Sequence, residues 1–335
     1  MWRAAQFCFR IKMTKNDCIE IGVDMAKIGG DETYIIENAN GVIKHNGKVI
    51  AEHDQGVVID CQVCRYAHLF PLSTRTEAYY REDRFYQHHS PADWLSKEVE
   101  EYNSGLWDSA YHRQAKLLFA NFPLLDVGCS TGTFLHFWRK NYGKNTVSWG
   151  IEPSKMARKK SVVMSSKIVP DYETFINSAR SGWANFNVRL SLVLEHIPNP
   201  VEFLRQYVNI LGNGNMMIIV PNEFNPLQRR VGGNWFVSDV HTNYFTSDSL
   251  LEVMQEAGLQ VVYQTATFPT ELFILMGLDH RGNDKLGRKL HRYRLLFEKK
   301  VPGIFKAYHT LYHRFQWGRE LIFVGVKSCF RPDCE

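Results

Sequence analysis

The chain predicts a doubly wound α/β sheet, mostly parallel with helices on both faces, plus a small N-terminal region and a helical C-terminal insertion. Three observations lead there. Short apolar runs at 123–127, 147–151, 190–194 and 216–220 read as buried strands. Helical spacing at 154–164, 200–211 and 247–257 alternates with them, the pattern that lays strands parallel with helices on both faces. The first strand runs into a glycine-bearing turn and then a helix.

Residues 1–92 precede that sheet. Their first twelve are too short and interrupted to make a secretory leader, and Met13 is an alternative start. Alternating runs at Tyr34-Ile35-Ile36 and Lys48-Val49-Ile50 predict small β elements. Cys61 and Cys64 form one CxxC pair. Four ligands close a structural zinc site, and Cys8, Cys18 and His68 are poorly spaced partners, so no metal is expected. Seven cysteines scattered to Cys334 fit free thiols and a reducing compartment. An aromatic, charged run follows through Tyr79, Tyr80, Phe85 and Tyr86.

From 93 to 119 apolar residues recur at helical intervals, with Gly105 breaking two helices. The segment LLDVGCSTGTF then places Asp126 at a strand end and Gly128, Cys129, Ser130, Thr131 and Gly132 in the turn, with Phe134 opening the helix. Glycine permits such a turn and lets a ligand approach the backbone. A dinucleotide loop asks for G-x-G-x-x-G, whereas these glycines are spaced G-x-x-x-G, which disfavours NAD. In the next unit, WGIEPSKMA, Glu152 ends a strand while Pro153 and Ser154 open a helix. An acid some twenty residues after the loop is placed to bind a ribose.

Further along, LSLVLEHIPNPVEFL carries Leu192, Glu195 and His196 into a proline-flanked turn, and ILGNGNMMIIVPN ends at Asn222. Before the helix at 247–257 lie Trp235, His241, Asn243, Tyr244 and Phe245, placed to roof an acceptor pocket. Strands at 260–265 and 320–326 bracket an insertion in which residues 281–319 hold eleven Lys or Arg against Asp284 and Glu298. Leu286, Leu290, Tyr293, Leu296 and Phe297 are expected to pack one face of its helix on the domain.

Together these segments resemble the class I S-adenosylmethionine (SAM)-dependent methyltransferases, from about Leu124 to Val326. The loop resembles their first motif, with Ser130 at the position of its usual middle glycine. The turn Gly212-Asn213-Gly214-Asn215 replaces their K-P-G-G-like turn. The resemblance implies a Rossmann-like, seven-stranded sheet with SAM as cofactor, held by Asp126, the 128–134 loop, Glu152, Pro153, Ser154 and Leu192. The candidates at the chemistry are His196, His241 and Glu195, with Asn222, Trp235, Tyr244 and Phe245 around the acceptor; the resemblance assigns no adenine contact, for which Asp171 is a guess.

The nearest layout is that of small-molecule and sugar methyltransferases of bacterial polysaccharide-type pathways. The expected organisation is therefore 1–92 as a β-rich region, 93–267 as the SAM domain, 268–318 as a basic helical insertion and 319–335 as the last strand and tail. The expected acceptor is a small molecule, a sugar or nucleotide-linked sugar; the basic segment reads equally as a clamp for its phosphate, as a contact to RNA or an anionic membrane surface, and as a solvated helix face. No N-P-P-Y or D-P-P-Y tetrapeptide occurs, so DNA is not expected, and no apolar run is long enough to span a bilayer. A cytoplasmic protein is expected, and a homo-oligomer is compatible with the chain. An NAD-dependent oxidoreductase and a catalytically silent SAM-binding module are the alternatives.

Overall fold

The computed structural model describes residues 27–28, 31–38, 41–53, 56–70, 76–89, 93–143, 146–162, 167–179, 185–232 and 240–328. Five antiparallel strands open it: β1 (Lys27–Ile28), β2 (Asp31–Asn38), β3 (Gly41–His53), β4 (Gly56–Cys61) and β5 (Ala67–Phe70). Then come α1 (Thr76–Arg81), a π-helical turn at Phe85–His89, α2 (Trp94–Asn103) and α3 (Asp108–Ala115). Gly105 lies between the last two at φ +68°, a backbone state that glycine enters without steric cost.

The main sheet begins with β6 (Leu124–Val127), α4 (Thr133–Asn141), β7 (Ser148–Ile151), α5 (Lys155–Lys159), β8 (Lys167–Val169), α6 (Tyr172–Ser178) and β9 (Asn187–Ser191). It continues through α7 (Pro200–Leu211), β10 (Asn215–Pro221) and α8 (Pro226–Val231). After β11 (Asn243–Tyr244) follow α9 (Ser247–Glu256), β12 (Leu259–Ala266), α10 (Glu271–Leu275), α11 (Asp284–Lys300), α12 (Ile304–Phe315) and β13 (Glu320–Lys327). The seven-stranded order is β12-β13-β10-β9-β6-β7-β8, with β13 antiparallel to both neighbours and the other pairs parallel. The order reverses beside β6, so its carboxyl end opens onto the crevice where such sheets bind ligands.

Both faces of this sheet are packed. Leu125, Trp149, Val188, Ile218 and Phe323 lie in one apolar layer, and Leu124, Trp138, Met217, Ile219 and Ile322 in the other. Several elements differ from the sequence expectation. The strand expected at 190–194 ends at Ser191, because Leu192 turns to φ +57° and residues Leu194–His196 form a 3₁₀ turn. On α11 the buried residues are Leu290, Arg294, Leu295 and Glu298, while Tyr293 and Phe297 are exposed. The helix has two apolar edges, and contacts to α3, with His291 against Trp107 and Lys299 donating to the Gly105 carbonyl, select the other one.

The expected boundary at residue 92 is crossed by a strand. The N-terminal sheet runs β1-β2-β3-β4-β5-β11, so its sixth strand comes from beyond residue 240. Asn243 pairs with His68 and Tyr244 with Ala67. Beneath the β4–β5 edge, His45, Cys61, Cys64 and His68 bring one ligand-capable atom each within 4.8 Å of the others. Among the described residues, no helix is long and apolar enough to cross a membrane.

Candidate active site

A cleft of about 1380 Å³ opens along the carboxyl ends of β6, β7, β9 and β10. Its floor is the turn after β6, where Gly128, Ser130 and Gly132 all have positive φ, at +69°, +49° and +76°. Two are glycines, for which this costs little; Ser130 carries a strain of roughly 1–2 kcal/mol. Its hydroxyl donates to Glu98 Oε2 at 2.8 Å, and its N–H donates to Glu152 Oε2 at 2.9 Å, contacts that hold it there. Gly128 has no room for a side chain, since an added Cβ would lie 2.4 Å from Val193.

Glu152 sits at the end of β7 and is buried. Its Oε1 accepts from the Ser154 N–H at 2.9 Å, and burial raises its pKa to about 7 despite the two amide donors. A carboxylate offers about four lone-pair sites, so two remain for other hydroxyls. Pro153, Cys129, Phe134 and Leu192 line the same cleft, as does Asp171, whose carboxylate caps α6 through the Thr174 N–H. The cleft also takes in Asp126, fully buried on β6. Its Oδ1 is paired to the Arg189 guanidinium at 2.7 Å, and its Oδ2 has no partner in the protein. Arg189 in turn lies 4.1 Å from the Phe134 ring centroid and donates to Gln114.

At the far end of the cleft Glu195, His196 and His241 converge, within 4.8 Å of one another. The His196 Nδ1–H donates to the Val240 carbonyl at 2.9 Å, and burial depresses its imidazole to about 3, so that ring is neutral. His241 differs. Burial pushes its pKa down, but Glu223 Oε1 at 2.6 Å from Nδ1, with Glu195 beyond, outweighs burial and the net shift is upward. Burial raises Glu195 to about 8, so at neutral pH it is chiefly the uncharged acid. The aromatic run noted in the sequence forms the wall opposite: Tyr80 lies edge-on to His196, and the Tyr86 hydroxyl reaches Ser130 Oγ at 3.4 Å. Asp83 ties this wall down, accepting from Ser154 Oγ at 2.6 Å and from the Met156 N–H at 3.1 Å.

Other expected residues lie elsewhere. Thr131 is fully buried beneath the turn, Gly132 ends the turn as the N-cap of α4, and Ser154 caps α5 by accepting the Ala157 N–H. Asn222 donates to the Gly318 carbonyl, bracing a loop rather than lining the cleft. Tyr244 belongs to the N-terminal core with Val58 and Phe224, and Phe245 packs on Tyr66 in the main core, because pairing of β11 with β5 turns both inward. Trp235 lies outside the described residues. Of the eleven basic residues at 281–319 only Arg319, next to β13, lines the cleft, which carries eight carboxyl side chains, among them Glu98, Glu173 and Glu320, against Arg81, Arg189 and Arg319. Glu98, Arg189 and Glu223 were not singled out in the sequence; each sits in an element without a recognisable motif, and only folding brings it to the cleft.

Residues 99–264 match the family model described as a methyltransferase domain. No curated protein sequence matches the chain. Among solved structures it is similar to a SAM-dependent methyltransferase from Archaeoglobus fulgidus at 18% identity, covering 65% of this chain and 92% of that one with a TM-score of 0.45. The plantazolicin methyltransferase BpumL in complex with S-adenosylhomocysteine (SAH) gives 14%, 76%, 96% and 0.45 for the same measures, and a SAM-dependent methyltransferase from Thermotoga maritima 13%, 75%, 100% and 0.43. These overall likenesses are too distant to bear on chemistry. The family match and the fold sit on the same residues: 99–264 match a methyltransferase domain and carry β6 to β10 and most of β12 of the seven-stranded sheet with its antiparallel β13.

Proposed function

We propose that the chain binds SAM over the turn after β6 and methylates an uncharged, hydroxyl-bearing small molecule of the sugar type. The observation that carries this reading is the Glu223–His241 pair at the end of a cleft whose other end is the 128–132 turn and Glu152. The residues present fit the cofactor: the unpartnered Asp126 Oδ2 suits an ammonium group, and Glu152 keeps lone pairs for ribose hydroxyls. Such hydrogen bonds to a charged acceptor contribute about 1.5–3 kcal/mol each. When bound, SAM supplies a methyl group on a sulfonium, which needs no further activation.

The chain's own task is then to hold the acceptor oxygen in line and to take its proton. Positioning contributes up to roughly 7–11 kcal/mol in favourable cases, and a general base about 10²–10⁴-fold. His241 is the better base of the two histidines. Its Nδ1–H is oriented by Glu223, leaving Nε2 to accept the acceptor's proton as the oxygen–methyl bond forms and the methyl–sulfur bond breaks. The depressed His196 is a poor base and serves instead as a neutral wall.

The lining argues against the phosphate-bearing acceptor. Carboxylates outnumber guanidiniums there, and Arg189 is already paired with Asp126. Sugar hydroxyls, by contrast, donate readily to Glu195, Glu223 and Glu320. Isothermal titration with SAM and SAH, followed by a screen of unphosphorylated and nucleotide-linked sugars for SAH release, tests both parts. Weaker binding in Glu152→Gln and turnover on a neutral sugar are expected. Folded wild-type protein that binds neither ligand overturns the reading.

A further inference from the structure

The four side chains beneath the β4–β5 edge are drawn from three places in the chain: His45 on β3, Cys61 and Cys64 at the turn after β4, and His68 on β5. His45, Cys61 and His68 are buried, and Cys64 is half-buried. A tetrahedral Zn²⁺ at ordinary ligand bond lengths sets nitrogen–nitrogen edges of about 3.3 Å and nitrogen–sulfur edges of about 3.6 Å. Here His45 Nδ1 lies 3.1 Å from His68 Nε2, and 3.6 and 3.5 Å from the Cys61 and Cys64 sulfurs.

The surroundings are those of a metal site as well. His68 Nδ1–H donates to the Leu69 carbonyl at 2.9 Å, which fixes the tautomer with its Nε2 lone pair facing the cluster. The Cys64 N–H points at Cys61 Sγ at 3.4 Å, and the Arg65 N–H closes onto the Cys61 carbonyl at 2.9 Å with Arg65 at φ +62°. That turn brings both sulfurs to one side. Phe70 stands against the His45 ring, screening the cluster.

We propose that His45, Cys61, Cys64 and His68 bind one Zn²⁺ in a closed structural site, and that the ion anchors the seam on which the His241 segment folds. The seam follows from register. His68 is the strand partner of Asn243, the Leu69 N–H donates to the Thr242 carbonyl at 2.8 Å, and the Thr242 N–H donates to the Glu195 carbonyl at 2.8 Å. Thr242 follows His241 directly. The ion is therefore separated from the proposed base by one strand pairing, with no ligand shared between the two sites.

The test uses the whole chain purified without chelator. Elemental analysis should find stoichiometric zinc, lost in Cys61→Ser. Replacing zinc by cobalt in the wild type should give the intense visible absorption of a tetrahedral ion with thiolate charge transfer, a readout that does not depend on any variant folding. Hydrogen exchange by mass spectrometry should then show loss of protection at residues 67–70 and 240–246 when the metal is stripped, in the absence of SAM or acceptor. Folded wild type with neither zinc nor a cobalt band, or with a disulfide between Cys61 and Cys64, overturns the site. Unchanged exchange at 240–246 on metal removal overturns the anchoring.

Discussion

At the scale of single residues, the two titrating groups of the cleft make the same demand on pH, since each works in its deprotonated form. Glu152 is raised to about 7 by burial, and only its ionised form accepts two hydroxyl donors. SAH affinity should therefore tighten as pH rises through about 7, and Glu152→Gln should bind weakly with no such slope, as titration calorimetry at several pH values would show. His241 must be neutral to accept a proton, and its pKa lies above the ordinary 6.5. Turnover should rise with pH along a limb placed above that value. Glu223→Gln removes the carboxylate that holds the limb up, so it should move to lower pH with a reduced plateau, while His241→Asn lowers the plateau about 10²–10⁴-fold. An unmoved limb in Glu223→Gln would remove His241 from the mechanism. The sequence made Glu152 visible at a readable strand end and His241 visible by its place before the helix at 247–257. Glu223 was not visible: it stands one residue past Asn222, in a loop with no pattern of its own.

At the scale of elements, the parallel sheet was legible and its edges were not. Buried strands such as β6 and β10 carry continuous or nearly continuous apolar runs, and α7 begins at the predicted Pro200 with Asn199 as its cap. The short β8 and α6 escaped notice because three and seven residues hold too little periodicity. The end of β9 was misplaced for a different reason, since nothing apolar about Leu192 announces its left-handed backbone. Neighbouring strands β6 and β9 are also joined by an ion pair that no alternation predicts. Asp126 and Arg189 are register partners, both buried. Arg189→Ala should strand the carboxylate and cost about 3–5 kcal/mol in chemical denaturation, much of it recovered by Asp126→Asn in the same chain. Additive losses in the double variant would show that the pair is not coupled.

For the whole molecule, buried carboxyls set a slope of stability with pH. Glu152 at about 7 and Glu195 at about 8 both titrate in the folded state far above 4.5, so the fold holds protons that the unfolded chain has released. Their stabilisation is complete below 4.5 and lost as pH rises through 7 and 8. His196, at about 3 against 6.5, acts oppositely and only below 6.5. Thermal unfolding should thus move down by a few degrees between pH 6.5 and 9, and Glu195→Gln should flatten the curve; a midpoint that rises over this range would contradict the burial of these groups. The N-terminal sheet also has a consequence for the order of events on the ribosome. Its strand β5 leaves the tunnel long before its partner β11, which lies beyond residue 240. Until then β5 is an open edge, a template for pairing with another chain. A nascent chain held with residue 232 just outside the tunnel should therefore aggregate or recruit chaperones through β5, and emergence of only a dozen further residues should bring out β11 and close that edge.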